Sequence, residues 1–161
     1  MNHHVSGGLS SDGLKFAIVS TRWNDLIVDR LVDGAVGALR RCGASPADIY
    51  LARVPGAYET PLAARKLAAT GAYNAIIVLG CVIRGATPHF DYVAGAAANG
   101  VAAASAETGV PMSFGVLTVD TMEQALERAG AKAGNKGEEA ALAAIEMSNL
   151  LRTIEHAHKG D

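Results

Sequence analysis

His89 stands in the run Ile83-Arg84-Gly85-Ala86-Thr87-Pro88-His89-Phe90-Asp91, after an apolar stretch and before a long alanine-rich one. Thr87 has the chemistry of a helix N-cap, and Pro88 suits the first helical position, where its missing N–H would be unpaired anyway. His89 would then lie in the first turn, where free backbone N–H groups and the positive dipole end gather anions. A phosphate could be held there beside a proton donor. Trp23, the only tryptophan, sits in the loop-like run Ser20-Thr21-Arg22-Trp23-Asn24, where its flat ring could stack on a planar heterocycle. Pro55-Gly56 turns the backbone so that N–H groups near Ala57 and Tyr58 can face a ligand, and Glu59 can read ring N–H or hydroxyl groups. Arg128, Lys132 and Lys136 flank a Gly/Asn-rich break, where a guanidinium could grip a phosphate through two bonds. Each residue also has a plainer use: a hydrophobic staple for Trp23, helix capping for Glu59, solvated helix faces for the cations.

These groups need elements that bring them together. Strands are expected at 16–19, 49–54, 75–79 and 113–119. Between them, helices are expected from the apolar set Ile27, Leu31, Val32, Ala35, Val36 and Leu39, then at 58–69, 88–107 and 122–129, with a last amphipathic helix at 138–155. Strands of continuous apolar character separated by helices imply a parallel sheet covered on both faces. The expected fold is α/β, a three-layer α/β/α sandwich with a four-stranded parallel sheet of flavodoxin-like form, its ligands at the carboxyl ends of the strands. The segments 20–24, 55–59 and 80–87 all follow strands, so one crevice would hold a stacking ring, backbone amides, a carboxylate and a histidine. Phe114 lies early in its strand. It reaches such a crevice only if the crevice belongs to another copy; core burial is the plainer reading.

Composition narrows the classes. The chain of 161 residues is 50% hydrophobic and 19% charged, enough for one folded domain, read as 14–158 after a flexible polar arm at 1–13. A net charge of −2 argues against a nucleic-acid surface. No apolar run reaches the roughly 18 residues of a membrane span, and the start has no signal-peptide pattern, so a cytoplasmic location is expected. Cys42 and Cys81 form no CxxC, and His3, His4, His89, His156 and His158 have no metal-ligand spacing. There is no dinucleotide fingerprint, Walker sequence or nucleophile elbow.

In colinear order, Val54-Pro55-Gly56-Ala57-Tyr58-Glu59, the run from Leu79 to Val93, Phe114-Gly115-Val116-Leu117-Thr118, Gln124-Ala125-Leu126-Glu127-Arg128-Ala129-Gly130 and Ala133-Gly134-Asn135-Lys136-Gly137 resemble the 6,7-dimethyl-8-ribityllumazine synthase family. The resemblance covers about 14–155. It implies a transferase of riboflavin biosynthesis, acting at the penultimate step. Such an enzyme condenses 5-amino-6-(D-ribitylamino)uracil with 3,4-dihydroxy-2-butanone 4-phosphate, releasing phosphate and water, without a cofactor or metal. Carried over, Trp23 stacks on the pyrimidine, where many relatives have Phe. Ala57, Tyr58 and Glu59 bind the ribitylaminouracil, and Cys81, Val82 and Ile83 line its site through backbone groups. Ala86, Thr87 and Arg128 hold the phosphate, His89 is the proton donor, and Asn24 and Lys136 are auxiliary. Phe114 and Arg128 would come from the adjacent subunit. The small-residue helix containing Ala96-Ala97-Ala98 would cluster about a five-fold axis, giving pentamers. The unbroken 133–137 motif resembles members that close into icosahedral 60-subunit shells of twelve pentamers, with riboflavin synthase as a partner. Many relatives have an acidic residue early in that helix; here the run is Ala94-Gly95-Ala96-Ala97, and no role is assigned to it. A flavodoxin-like flavin-binding module and a non-catalytic shell protein remain as alternatives, and formation of the fluorescent lumazine separates all three.

Overall fold

The computed structural model describes residues 3–159; the first two positions of the expected arm lie outside it. Among the described residues four strands form one sheet: β1 (Phe16–Thr21), β2 (Ile49–Val54), β3 (Ala75–Ile83) and β4 (Met112–Val119), in the order β2-β1-β3-β4 and parallel throughout. The helices are α1 (Asp25–Arg41), α2 (Thr60–Ala69), α3 (His89–Thr108), α4 (Met122–Arg128) and α5 (Lys136–Ala157). Alternate residues of each central strand serve opposite layers, because successive side chains leave a strand on opposite faces. Phe16, Ile18, Ile77 and Leu79 pack with Leu31, Ala35 and Leu39 of α1 and Ala141 and Ile145 of α5. Ala17, Val19, Ile76 and Val78 pack with Ala64 and Ala68 of α2 and Ala97 and Val101 of α3. The three-layer sandwich expected from the strand pattern is the fold.

Several boundaries differ from the sequence expectation. β3 continues through Gly80 to Ile83, because Gly80, Cys81, Val82 and Ile83 pair with Val116, Leu117, Thr118 and Val119. Gly80 is a place of close approach, not a terminator: a Cβ there would stand 2.9 Å from Thr21 Cγ2. Pro88, not Thr87, occupies the cap position of α3, no side chain caps it, and His89 is the first helical residue. Ala57–Glu59 form a separate 3₁₀ turn ahead of α2. Phe114 is not core: it is 41% exposed on the open edge strand β4.

From Gly7 the expected flexible arm is anchored. Asn149 Nδ2 on α5 donates to the carbonyls of Gly8 (2.7 Å) and Ser10 (2.9 Å). Ser11 is buried, its hydroxyl donating to the Leu39 carbonyl at 3.1 Å and its N–H to the Cys42 carbonyl at 2.9 Å. The 133–137 motif has an internal task as well. Asn135 Oδ1 accepts from the N–H groups of Gly137 (2.8 Å) and Glu138 (3.2 Å), capping α5, while its Nδ2 donates to the Arg30 carbonyl at 3.0 Å. Gly137 meets the backbone of Leu31, an approach no side chain would permit.

Candidate active site

The carboxyl ends of β1, β2 and β3 open into a cleft of about 460 Å³. Trp23 forms one wall. Its backbone N–H donates to the Pro55 carbonyl at 3.1 Å, and the ring lies against Gly56, where a Cβ would overlap it. Trp23 remains 60% exposed, so it is no buried staple on the following helix, and its indole can receive a flat ligand. Asn24 holds this loop in place. It adopts a left-handed conformation (φ 60°), which Asn tolerates, and Nδ2 donates to the Cys81 carbonyl at 2.8 Å.

Ala57, Tyr58 and Glu59 also line the cleft, set by the 3₁₀ turn after Gly56. Glu59 Oε2 accepts from the Gly56 N–H at 3.0 Å, so the capping use is present, and it fixes the carboxylate at the cleft wall. Ala57 is buried and Tyr58 is exposed. The extended end of β3 supplies Cys81, Val82 and Ile83. Burial pushes the Cys81 thiol up to about 11, so it stays protonated and unreactive near neutral pH. His89 completes the lining from the start of α3. Ala86 and Thr87 form the exposed bend between Ile83 and His89, two residues that both line the cleft. Thr21 and Val93 also line it; the sequence reading had not singled them out.

Lysine and arginine are missing from this lining. The expected phosphate-binding cation lies elsewhere. Arg128 and Lys136 border a second cleft of about 500 Å³ along the open edge of β4, together with Phe114. Arg128 Nη1 donates to the Gln124 carbonyl at 3.1 Å, and Lys136 pairs with Glu139 at 2.7 Å. Arg84 contributes to neither lining. Its guanidinium bonds Asp120 and lies near Asp91, and both carboxylates push its pKa above the ordinary value, the Asp120 hydrogen bond most of all. The structure thus gathers Trp23, Asn24, Ala57, Tyr58, Glu59, Cys81, Val82, Ile83 and His89 at one cleft, and Phe114, Arg128 and Lys136 at another. Within one chain the two sets do not meet. Among the described residues no cluster of three or more His, Cys, Asp or Glu could hold a metal ion, and no helix is long and apolar enough to cross a membrane.

Residues 13–152 match the model of the family described as 6,7-dimethyl-8-ribityllumazine synthase. The chain belongs to that family. Two relatives named 6,7-dimethyl-8-ribityllumazine synthase match nearly end to end. One, from Desulfotalea psychrophila, is 56% identical over 155 residues, 96% of this chain and 100% of the relative. The other, from Syntrophus aciditrophicus, is 59% identical over 150 residues, 93% of this chain and 97% of the relative. The lumazine synthase match includes both clefts, so neither half of the constellation is an addition outside the family region.

Proposed function

We propose that the chain catalyses the lumazine synthase reaction, joining 5-amino-6-(D-ribitylamino)uracil to 3,4-dihydroxy-2-butanone 4-phosphate in riboflavin biosynthesis. The observation that carries the site assignment is the division of chemistry between the two clefts. The strand-end cleft offers an exposed indole, fixed backbone groups, one carboxylate and an imidazole. That suits a flat, uncharged heterocycle with a hydroxylated chain. What it lacks for a phosphorylated partner is a cation, and the β4-edge cleft presents Arg128 beside Phe114. Placing the β4 edge of one copy against the strand ends of the next completes a single centre. The arrangement supports a homo-oligomer as the active unit, proposed as a pentamer, with closure of twelve pentamers into an icosahedral shell resting on the 133–137 resemblance. The cytoplasmic location and a riboflavin synthase partner belong to the same proposal.

In this reading Trp23 stacks on the pyrimidine, which the backbone of Cys81, Val82 and Ile83 and the turn at Ala57 and Tyr58 hold edge-on. Glu59 accepts from the ribityl hydroxyls, and Asn24 keeps the indole loop against β3. The phosphate rests on the bend at Ala86 and Thr87, where the start of α3 favours an anion. Arg128 from the neighbouring copy closes over it, with Lys136 in support and Phe114 on the ring. The amine attacks the ketone, and a Schiff base forms as one water leaves. Phosphate leaves, with His89 donating a proton, and ring closure follows with loss of water. Neither substrate is bound covalently by the protein, so the acceleration comes chiefly from holding both in register, for which effective molarities of about 10⁵ M and above are known. The test is direct. Purified protein given both substrates forms the fluorescent lumazine, and neither substrate alone does so. A protein that arrives yellow with bound flavin and turns over nothing would be a flavin-binding module instead.

A further inference from the structure

Arg84 does not line the strand-end cleft, and the steps above give it no part. Its guanidinium is nonetheless held from three directions. Nε donates to Asp120 Oδ1 at 2.9 Å, and Nη1 lies 3.5 Å from Asp91 Oδ1. The guanidinium carbon stands 4.2 Å from the centre of the Phe90 ring. The Arg84 backbone N–H donates to the Val119 carbonyl at 2.8 Å, carrying the β3–β4 ladder one residue past Ile83. Phe90 and Asp91 lie in the first turn of α3, and Asp120 follows β4 directly. One planar group therefore joins the two ends of the bend 85–88 to each other and to the end of β4. Inside that bend are Ala86 and Thr87, and His89 follows it. Exposed ion pairs contribute little to overall stability, so the effect of this cluster is on geometry.

We infer that Arg84 is a positioning residue: clamped by Asp120 and Asp91 and stacked on Phe90, it presets the bend that receives the phosphate and the helix turn that carries His89. The inference rests on the reading of this bend as the phosphate seat. A lysine cannot reproduce a planar group that reaches two carboxylates while stacking on a ring, so Arg84→Lys should behave like Arg84→Gln. Asp120→Asn loosens the clamp while leaving the guanidinium charge in place. A guanidinium that acted by attracting the phosphate would respond oppositely, since neutralising Asp120 would strengthen its field.

The experiment is steady-state lumazine formation by Arg84→Lys, Arg84→Gln and Asp120→Asn, with amide exchange across residues 85–91 measured on the same proteins. The clamp predicts that all three raise the KM for the phosphate substrate by about tenfold, as a misplacement well short of 1 Å would, and leave the KM for the pyrimidine nearly unchanged. It also predicts faster exchange in the bend. Wild-type kinetics in Arg84→Lys, or an unchanged or lower phosphate KM in Asp120→Asn, would overturn it. So would unchanged exchange in all three variants. Accelerated exchange in the variants of a wild-type protein that makes no lumazine would instead remove the reaction and leave the clamp standing.

Discussion

The strand-end cleft and the β4-edge cleft are built by opposite means. The first owes its shape to backbone: a left-handed Asn24, a Gly56 that admits the indole, and a strand that runs four residues past its expected end. The second owes its character to side chains, Arg128 and Lys136 on α4 and α5 and Phe114 on an unpaired strand edge. One offers an exposed indole on a fixed backbone frame; the other carries charge along an open strand edge. Two half-sites of complementary chemistry on one chain make self-association part of the proposed catalysis and not an accessory to it.

Substitutions on the two sides should therefore fail differently. The largest loss is expected from His89→Ala, which should lower kcat by about 10²- to 10⁴-fold, the usual worth of a positioned proton donor, while the oligomer stays intact. Wild-type turnover would remove His89 from the chemistry. Arg128→Ala should raise the KM for the phosphate substrate by about 10- to 100-fold, as expected for loss of a hydrogen bond to a charged group worth about 1.5–3 kcal/mol. Equal effects on both substrates would mean that Arg128 does not touch the phosphate. Gly56→Ala should displace the Trp23 ring and weaken the pyrimidine alone, by about two- to tenfold, the value of about 0.5–1.5 kcal/mol of ring stacking. An effect on the phosphate substrate of the same size would break the division of labour.

The smallest effect concerns Cys81. Its thiol ordinarily titrates at 9.0 and is held up to about 11 in the folded chain. The unfolded state therefore loses its proton first, and stability present below 9.0 declines as pH rises towards about 11. Cys81→Ala should flatten that alkaline decline in urea midpoint and leave turnover near neutral pH unchanged. A lost inflection in the neutral pH–rate profile would give the thiol a role the cleft does not show.

Much of this was legible in the residues because it follows from local patterning. The second strand, 49–54, is a largely apolar run stopped by Pro55-Gly56, and the structure has it at the same bounds. The strand-end rule alone was enough to group Trp23, Glu59 and His89, and the early place of Phe114 in its strand already separated it from them. What escaped depends on contacts between distant parts of the chain. Gly80 read as a break because its partner, Val116, is supplied by another strand. The arm read as free because the group that holds it, Asn149, lies on the last helix. The Asp120–Arg84 bond joins residues whose neighbourhood no periodicity reveals. Glu59 illustrates a third case: capping and substrate reading look like alternatives in the sequence, yet a carboxylate bonded to Gly56 through Oε2 can serve as both.

The central claim is that each catalytic centre draws on two copies, and mixed assembly tests it most directly. A variant carrying Trp23→Ala and His89→Ala is combined with a variant carrying Arg128→Ala, the two are unfolded together and refolded, and lumazine formation is measured against each variant refolded alone. The shared-site account predicts that the mixture regains activity that neither parent has, because some centres pair an intact strand-end cleft with an intact Arg128. A mixture no more active than the sum of its parents, with mixed oligomers confirmed by mass, would place the whole site within one chain and contradict the account.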